Sequence, residues 1–254
     1  MGLYDAAELL QGPEGSRVEL VVRHGSETKN LSLVREKVSL NPVKSRVCRT
    51  SSLGDDGPLV GYIKLTTFNQ NASGALREAI EKLRGNNVNA FILDLRDNSG
   101  GLFPEGVEIA KIWLDKGVIV YICDSRGVRD IYDTDGTNAT AASEPLVVLV
   151  NKGTASASEI LAGALKDNNR AVVLGEPTYG KGKIQSVFEL SDGSGLAVTV
   201  ARYETPARTD IDKVGIIPDH PLPVSFPKDE ESLCGCLLDR TSACYLNRAE
   251  LFSR

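Results

Sequence analysis

Two unbroken apolar runs constrain this chain most: Leu146–Val150 ("LVVLV") and Ala171–Leu174 ("AVVL"). A strand that is apolar at every position hides both of its faces. Ala90–Leu95 reads the same way, an apolar strand ending around Asp94 and Arg96. Between the first two runs, Ser156–Asp167 has the length and pattern of a helix. Buried strands alternating with helices predict an α/β layered domain.

Flanking segments extend that pattern. Val60–Leu65 reads as a strand, and Ser73–Arg84 as an amphipathic helix with Ala75, Leu76, Ala79, Ile80 and Leu83 on one side. Val107–Leu114 reads as a helix, and Val118–Cys123 and Arg129–Tyr132 as strands around a turn. Ile184–Leu190 and Leu196–Arg202 predict a hairpin across the Ser191–Gly195 turn. Nearer the start, Tyr4–Leu10 reads as a helix. Val18–Arg23 and Lys29–Val34 alternate as strands around His24-Gly25-Ser26. Asn41–Gly57 is polar and reads as a connector.

Composition excludes several classes. The 254 residues carry a net charge of −5 with no block of one sign, which argues against a nucleic-acid surface. No apolar run approaches the length that spans a bilayer, and no targeting segment is legible ahead of the first amphipathic stretch. A mature form or a truncated product would both begin this way. The five cysteines (48, 123, 234, 236 and 244) have no zinc spacing. Three fall in the last 21 residues, where one disulfide or free thiols are both open readings.

"GEPTYGKGKIQ" (175–185) nearly spells a phosphate-binding loop. Such a loop needs a following helix and a Ser or Thr after the lysine. Residue 182 is Gly, and Ile184, Ser186, Phe188 and Leu190 alternate as in a strand. The nucleotide reading fails, so Lys181 is either a solvated lysine in a glycine-rich turn or a residue with another task.

A nucleophile candidate lies in "NKGTASASEILAGALKD" (151–167), where Ser156 sits between a buried strand and a helix. Unpaired N–H groups and the positive end of the helix dipole would stabilise an oxyanion there. Ser156-Ala157-Ser158-Glu159 is equally a capping box, S-x-x-E, and both readings stay open. The only histidines are His24 and His220, with no HExxH and no GxSxG, which makes a lysine base worth considering. Asp167 is eleven residues after Ser156, about 16 Å along a helix, too far to bond it directly.

Taken together, "LDLRDNSGG" (93–101), "TASASEI" (154–160) and "GEPTYGKGKIQ" (175–185) resemble the carboxyl-terminal processing peptidases, serine proteases with a Ser–Lys dyad. The blocks match in order and spacing across roughly residues 58–222. The tail from Ser225 resembles the plant members that process the D1 protein of photosystem II. "GPEGSRVELVVRHGSETKNLSLVRE" resembles the closing half of a PDZ domain, a module that this family places ahead of its core. The resemblance implies a crotonase/ClpP-like layered core over residues 58–254, a partial PDZ domain over 1–40 and a connector over 41–57. It also implies the thylakoid lumen and the C-terminal segment of a protein as substrate. Neither cofactor nor metal is implied, and a membrane enters only through a membrane-embedded substrate. The chain departs mildly from the usual family pattern at Thr154 and Tyr179.

Carried over by motif, the nucleophile falls on Ser156, the general base on Lys181 and a supporting amide on Gln185. The oxyanion donors fall on the N–H groups of Ala157 and of the Gly100-Gly101 pair, with Gly101 preferred. A lysine base must be neutral, yet at the model value of about 10.4 only about 0.04% is neutral at pH 7. Bringing it near 7 takes roughly 4 kcal/mol of destabilised charge. Burial without a carboxylate partner supplies that, so Lys181 is expected to be buried. Gln185, four residues on in an extended chain, shares its side and orients the amine without adding charge. Without the resemblance, Gln185 reads as an exposed strand residue and the glycine pair as a plain flexible turn. Two other functions fit parts of the sequence: a non-catalytic PDZ-containing binding chain, and a crotonase-like enzyme acting on acyl thioesters.

Overall fold

In the computed structural model the apolar runs lie side by side in one sheet. The structure describes residues 6, 9–36, 40–50, 58–223, 226–227 and 229–238. Residues 1–40 and 41–254 form separate compact units.

In the first unit, β1 (Arg17–His24) pairs antiparallel with β2 (Glu27–Val34). Ala6, Leu9 and Leu10 are helical, and the rest of the helix expected over Tyr4–Leu10 lies outside the described residues. The Arg35 side chain donates to the Leu10 carbonyl at 2.8 Å and to the Arg17 carbonyl at 3.0 Å, tying this segment to the hairpin. Val21, Val22, Leu31, Leu33 and Val34 are exposed, while Val18 and Leu20 are half-buried.

The second unit is built on β3 (Val43–Arg49), β4 (Leu59–Leu65), β5 (Phe91–Asp94), β8 (Leu146–Val150), β9 (Val172–Gly175) and β12 (His220–Pro221). Their order across the sheet is β12-β9-β8-β5-β4-β3. All neighbours are parallel except β3, which runs antiparallel to β4. Residues 43–49, expected within a connector, are thus an edge strand. Lys44 and Arg49 point to solvent from that edge, which is the polar character that hid it.

Both faces of this sheet are covered, which is why its central strands lack alternation. Ile63, Leu93, Val148 and Val173 pack towards helices α1 (Ala72–Arg84), α2 (Phe103–Trp113) and α3 (Ala157–Asp167). Tyr62, Ile92, Val147, Leu149, Val172 and Leu174 face the other way, towards Phe226, Leu233 and Leu237. The last two belong to α4 (Glu230–Leu238), a helix not anticipated from the sequence. Helix α1 buries Ala72, Leu76, Ala79, Ile80 and Leu83, the stripe its periodicity predicts. Helix α2 starts four residues earlier than expected, with Pro104 in its first turn, where a missing N–H costs nothing.

A second sheet runs β10-β11-β6-β7, formed by β6 (Gly117–Asp124), β7 (Gly127–Thr134), β10 (Lys183–Glu189) and β11 (Gly195–Glu204). The hairpin expected over 184–202 is present as β10 and β11. Because β10 is a strand, Gly180-Lys181 opens no helix, in line with the failed nucleotide reading. Cys48 of β3 forms a disulfide with Cys234 of α4, not with a neighbour in the tail. Cys236 is also disulfide-bonded, and Cys123 is a buried free thiol. Among the described residues no helix is long and apolar enough to cross a membrane.

Candidate active site

Strand β8 ends at Val150, and a short loop carries the chain to Ser156 at the head of α3. Ser156 has φ 58° and ψ −119°, a conformation that costs a non-glycine residue on the order of 1–3 kcal/mol. The surrounding loop over-determines it. Thr154 Oγ1 donates to the Leu95 carbonyl at 2.8 Å, and the Ala155 N–H donates to the Asn98 carbonyl at 3.0 Å. Ser158 Oγ donates to that same carbonyl at 2.9 Å. Asn151 and Asp97 exchange two hydrogen bonds of 2.9 Å.

The loop after β5 is equally fixed. Asn98 is fully buried; its Nδ2 donates to the Leu65 carbonyl and its Oδ1 accepts the Gly100 N–H, each at 2.9 Å. The pair Gly100-Gly101, expected to be flexible, is therefore held by a side chain that sequence reasoning had passed over. Phe68 pairs with it from the other side, its N–H donating to the Gly100 carbonyl at 3.0 Å. The Gly100 N–H is thus engaged. Among the described residues the N–H groups of Gly101 and Ala157 have no acceptor.

Glu159 joins this region to the segment bearing Lys181. It is fully buried in the first turn of α3, with no cation paired to it among the described residues. Its Oε2 accepts the N–H of Ser156 at 2.8 Å and that of Lys181 at 2.9 Å. Its Oε1 accepts the Thr178 hydroxyl and the Gly180 N–H, each at 2.6 Å. The S-x-x-E pattern is therefore a capping box whose carboxylate also reaches the segment bearing Lys181, and it leaves the nucleophile reading of Ser156 open. The pattern itself was the only sequence signal for Glu159. Nothing in it foretold the three donors from 178–181.

Lys181 itself is exposed, against the expectation of burial. It sits where the chain leaves the core to begin the edge strand β10, most of whose residues are open to solvent. Among the described residues no hydrogen bond joins Lys181 Nζ to Ser156 Oγ or to Gln185, and no carboxylate pairs with that amine. Its backbone is nonetheless fixed: the Gly180 carbonyl accepts the Lys213 N–H, and that of Gly182 accepts the Tyr203 N–H, each at 2.8 Å. Gly182 lies so close to the Asp212 backbone that a side chain there would collide with it. Gln185 is exposed in β10 opposite Thr199, just past a bulge at Ile184/Gln185. His220 pairs through its backbone with Leu174 in β12, and Asp167 accepts the Ala207 N–H at 2.9 Å, so neither enters this region. Among the described residues no cluster of His, Cys, Asp or Glu is arranged to hold a metal.

A strained serine heading a helix and tied through Glu159 to a lysine-bearing strap, on a mixed α/β fold, is compatible with the class of serine-type peptidases. Residues 59–222 match the model of peptidase family S41, and the chain belongs to that family. It is 80% identical over 252 residues to "Carboxyl-terminal-processing peptidase 2, chloroplastic" of Arabidopsis thaliana, covering 99% of this chain and 49% of that relative. It is 49% identical over 246 residues to "C-terminal processing peptidase, chloroplastic" of Tetradesmus obliquus, covering 93% and 53%. The solved "Photosystem II D1 C-terminal processing protease" superposes with a TM-score of 0.73 at 48% identity, over 96% of this chain and 66% of that one. The chain thus spans about half the length of the curated relatives it matches.

Proposed function

We propose that the chain is the catalytic part of a serine endopeptidase that removes a short C-terminal extension from a protein precursor. The observation that carries this is the strained Ser156 tied through Glu159 to the backbone of Lys181. In this reading Lys181 takes the Ser156 hydroxyl proton as Oγ attacks the scissile carbonyl. The N–H groups of Ala157 and Gly101 receive the oxyanion. Lys181 then protonates the leaving amine, and water hydrolyses the acyl-enzyme by the same route. Gln185 orients the amine. Lys181 is exposed in the structure, so this reading requires bound substrate to cover it.

The names of the relatives support the D1 precursor of photosystem II as substrate and the chloroplast as location, and the thylakoid lumen is the compartment that the resemblance of the sequence to the plant members implies. Residues 1–40 are read as the closing part of a PDZ domain, supported by the strand pair and its sequence. A second reading, a binding chain that does not cut, is favoured by the missing bond between Lys181 and Ser156. One experiment decides. A peptide spanning the D1 C-terminal junction is incubated with this chain and with Ser156→Ala and Lys181→Ala. Cleavage lost in both variants supports the dyad; cleavage kept in either removes it, and no cleavage by the parent chain supports the second reading.

A further inference from the structure

We propose that Glu159 is a positioning residue of the peptidase: an ionised, buried carboxylate that holds the Ser156 and Lys181 backbones in one frame. The inference rests on the Ser156–Lys181 reading above and adds to it a residue that touches neither substrate nor reacting atom.

The reciprocal half of a capping box needs only the bond from the Ser156 N–H to Glu159. Glu159 makes three more, to Thr178, Gly180 and Lys181, which lie 19 to 22 residues further along the chain. All four partners are donors, two to each oxygen. An acceptor-only carboxylate meets such a set directly, with no hydrogen of its own to place among the donors. A buried charge is costly unless it is fully hydrogen-bonded, and here donors and the positive end of α3 do that without a cation. Thr178 extends the frame: its Oγ1 also accepts the Ile216 N–H at 2.7 Å, which leaves its own proton for Glu159. The carboxylate thus fixes where the strap of Lys181 crosses the head of α3. Its orientation costs nothing at the moment of reaction, and a displacement of about 1 Å in such a frame costs about 100-fold in rate.

The test compares the parent chain with Glu159→Gln, Thr178→Val, Ser156→Ala and Lys181→Ala. Cleavage of the junction peptide gives kcat and KM, a fluorophosphonate gives the rate of Ser156 labelling, and circular dichroism reports the folded fraction. Glutamine keeps the shape but turns an amide hydrogen towards two donors. It is expected to lower kcat per folded molecule about 100-fold, with KM within about twofold and labelling slowed in parallel. Thr178→Val removes one donor and is expected to lower kcat about tenfold, which keeps the test informative should the Gln variant fail to fold. A kcat per folded molecule within about threefold of the parent in either variant overturns the proposal while leaving the dyad standing. Retained cleavage by Ser156→Ala or Lys181→Ala instead overturns the dyad and the positioning role with it.

Discussion

Gly100 is pressed against Ser156: a Cβ added to the glycine would lie 2.8 Å from the serine Cβ and 2.8 Å from the Ala155 carbonyl oxygen. The loops that follow β5 and β8 therefore touch at the head of α3, and their contact sets the space around the candidate nucleophile. Gly100 also has φ +99°, where an L side chain is strained irrespective of space.

Gly100→Ala should accordingly lose most peptidase activity in a protein that still folds. A cost of about 1–3 kcal/mol is expected for the strain alone, and the Ser156 loop must shift to admit the methyl group. Active-site labelling and a thermal melt on the same sample check this. A variant that labels at the parent rate would refute the close approach.

Ser156 carries its own strain at φ 58°, and glycine tolerates that backbone. Ser156→Gly should abolish cleavage while matching or exceeding the parent in stability, by up to about 2 kcal/mol after the entropy cost of glycine. Urea midpoints of Ser156→Gly and Ser156→Ala separate the two contributions. A glycine variant less stable than the alanine one would contradict the strained assignment.

Acid should weaken the sheet through Asp94. Burial pushes its carboxyl up, but the Arg96 hydrogen bonds, the charges of Lys64 and Arg96 and the Tyr62 hydroxyl together hold it below the usual carboxylate range. Tyr62 Oη donates to Asp94 Oδ2 at 2.7 Å, and Arg96 Nη2 to the same oxygen at 2.6 Å. A folded-state value below the unfolded value of about 3.9 adds stability that is complete above about pH 5. That stability drains away as pH falls through the folded value. Asp94→Asn should be less stable than the parent at pH 7, with the gap narrowing towards pH 2–3. Melting temperatures across that range provide the measurement, and a constant gap would count against it.

The Cys48–Cys234 disulfide closes a loop of 186 residues and fastens α4 over Tyr62, Ile92 and Leu149. Cys48→Ser with Cys234→Ser should lower the unfolding free energy by about 2–4 kcal/mol. Chemical denaturation of the double variant beside the parent tests it; equal midpoints would mean that α4 is held by its apolar contacts alone.

Much of the architecture could be read from the chain. Strands β5, β8 and β9 announced themselves because a strand buried on both faces must be apolar throughout, and α1 because its stripe repeats every three to four residues. Strand β3 was missed because an edge strand with Lys44 and Arg49 outward resembles a polar linker. Helix α4 was missed because its short stretch, with Gly235 and two cysteines, carries little helical pattern. Within the site, Ser156 was visible as a strand-to-helix junction. Glu159 was visible only as a cap, and the burial expected of Lys181 was not found.

The sequence by itself determined the central strands and the helices between them, that the core is α/β, and that three blocks resemble one peptidase family. The tertiary structure alone decided that Glu159 reaches Gly180 and Lys181, that Cys48 rather than a tail cysteine takes Cys234, and that Lys181 lies open. The physical reason is range. Periodicity records how one segment meets solvent, whereas a partner 22 or 186 residues away is chosen by where the chain crosses itself.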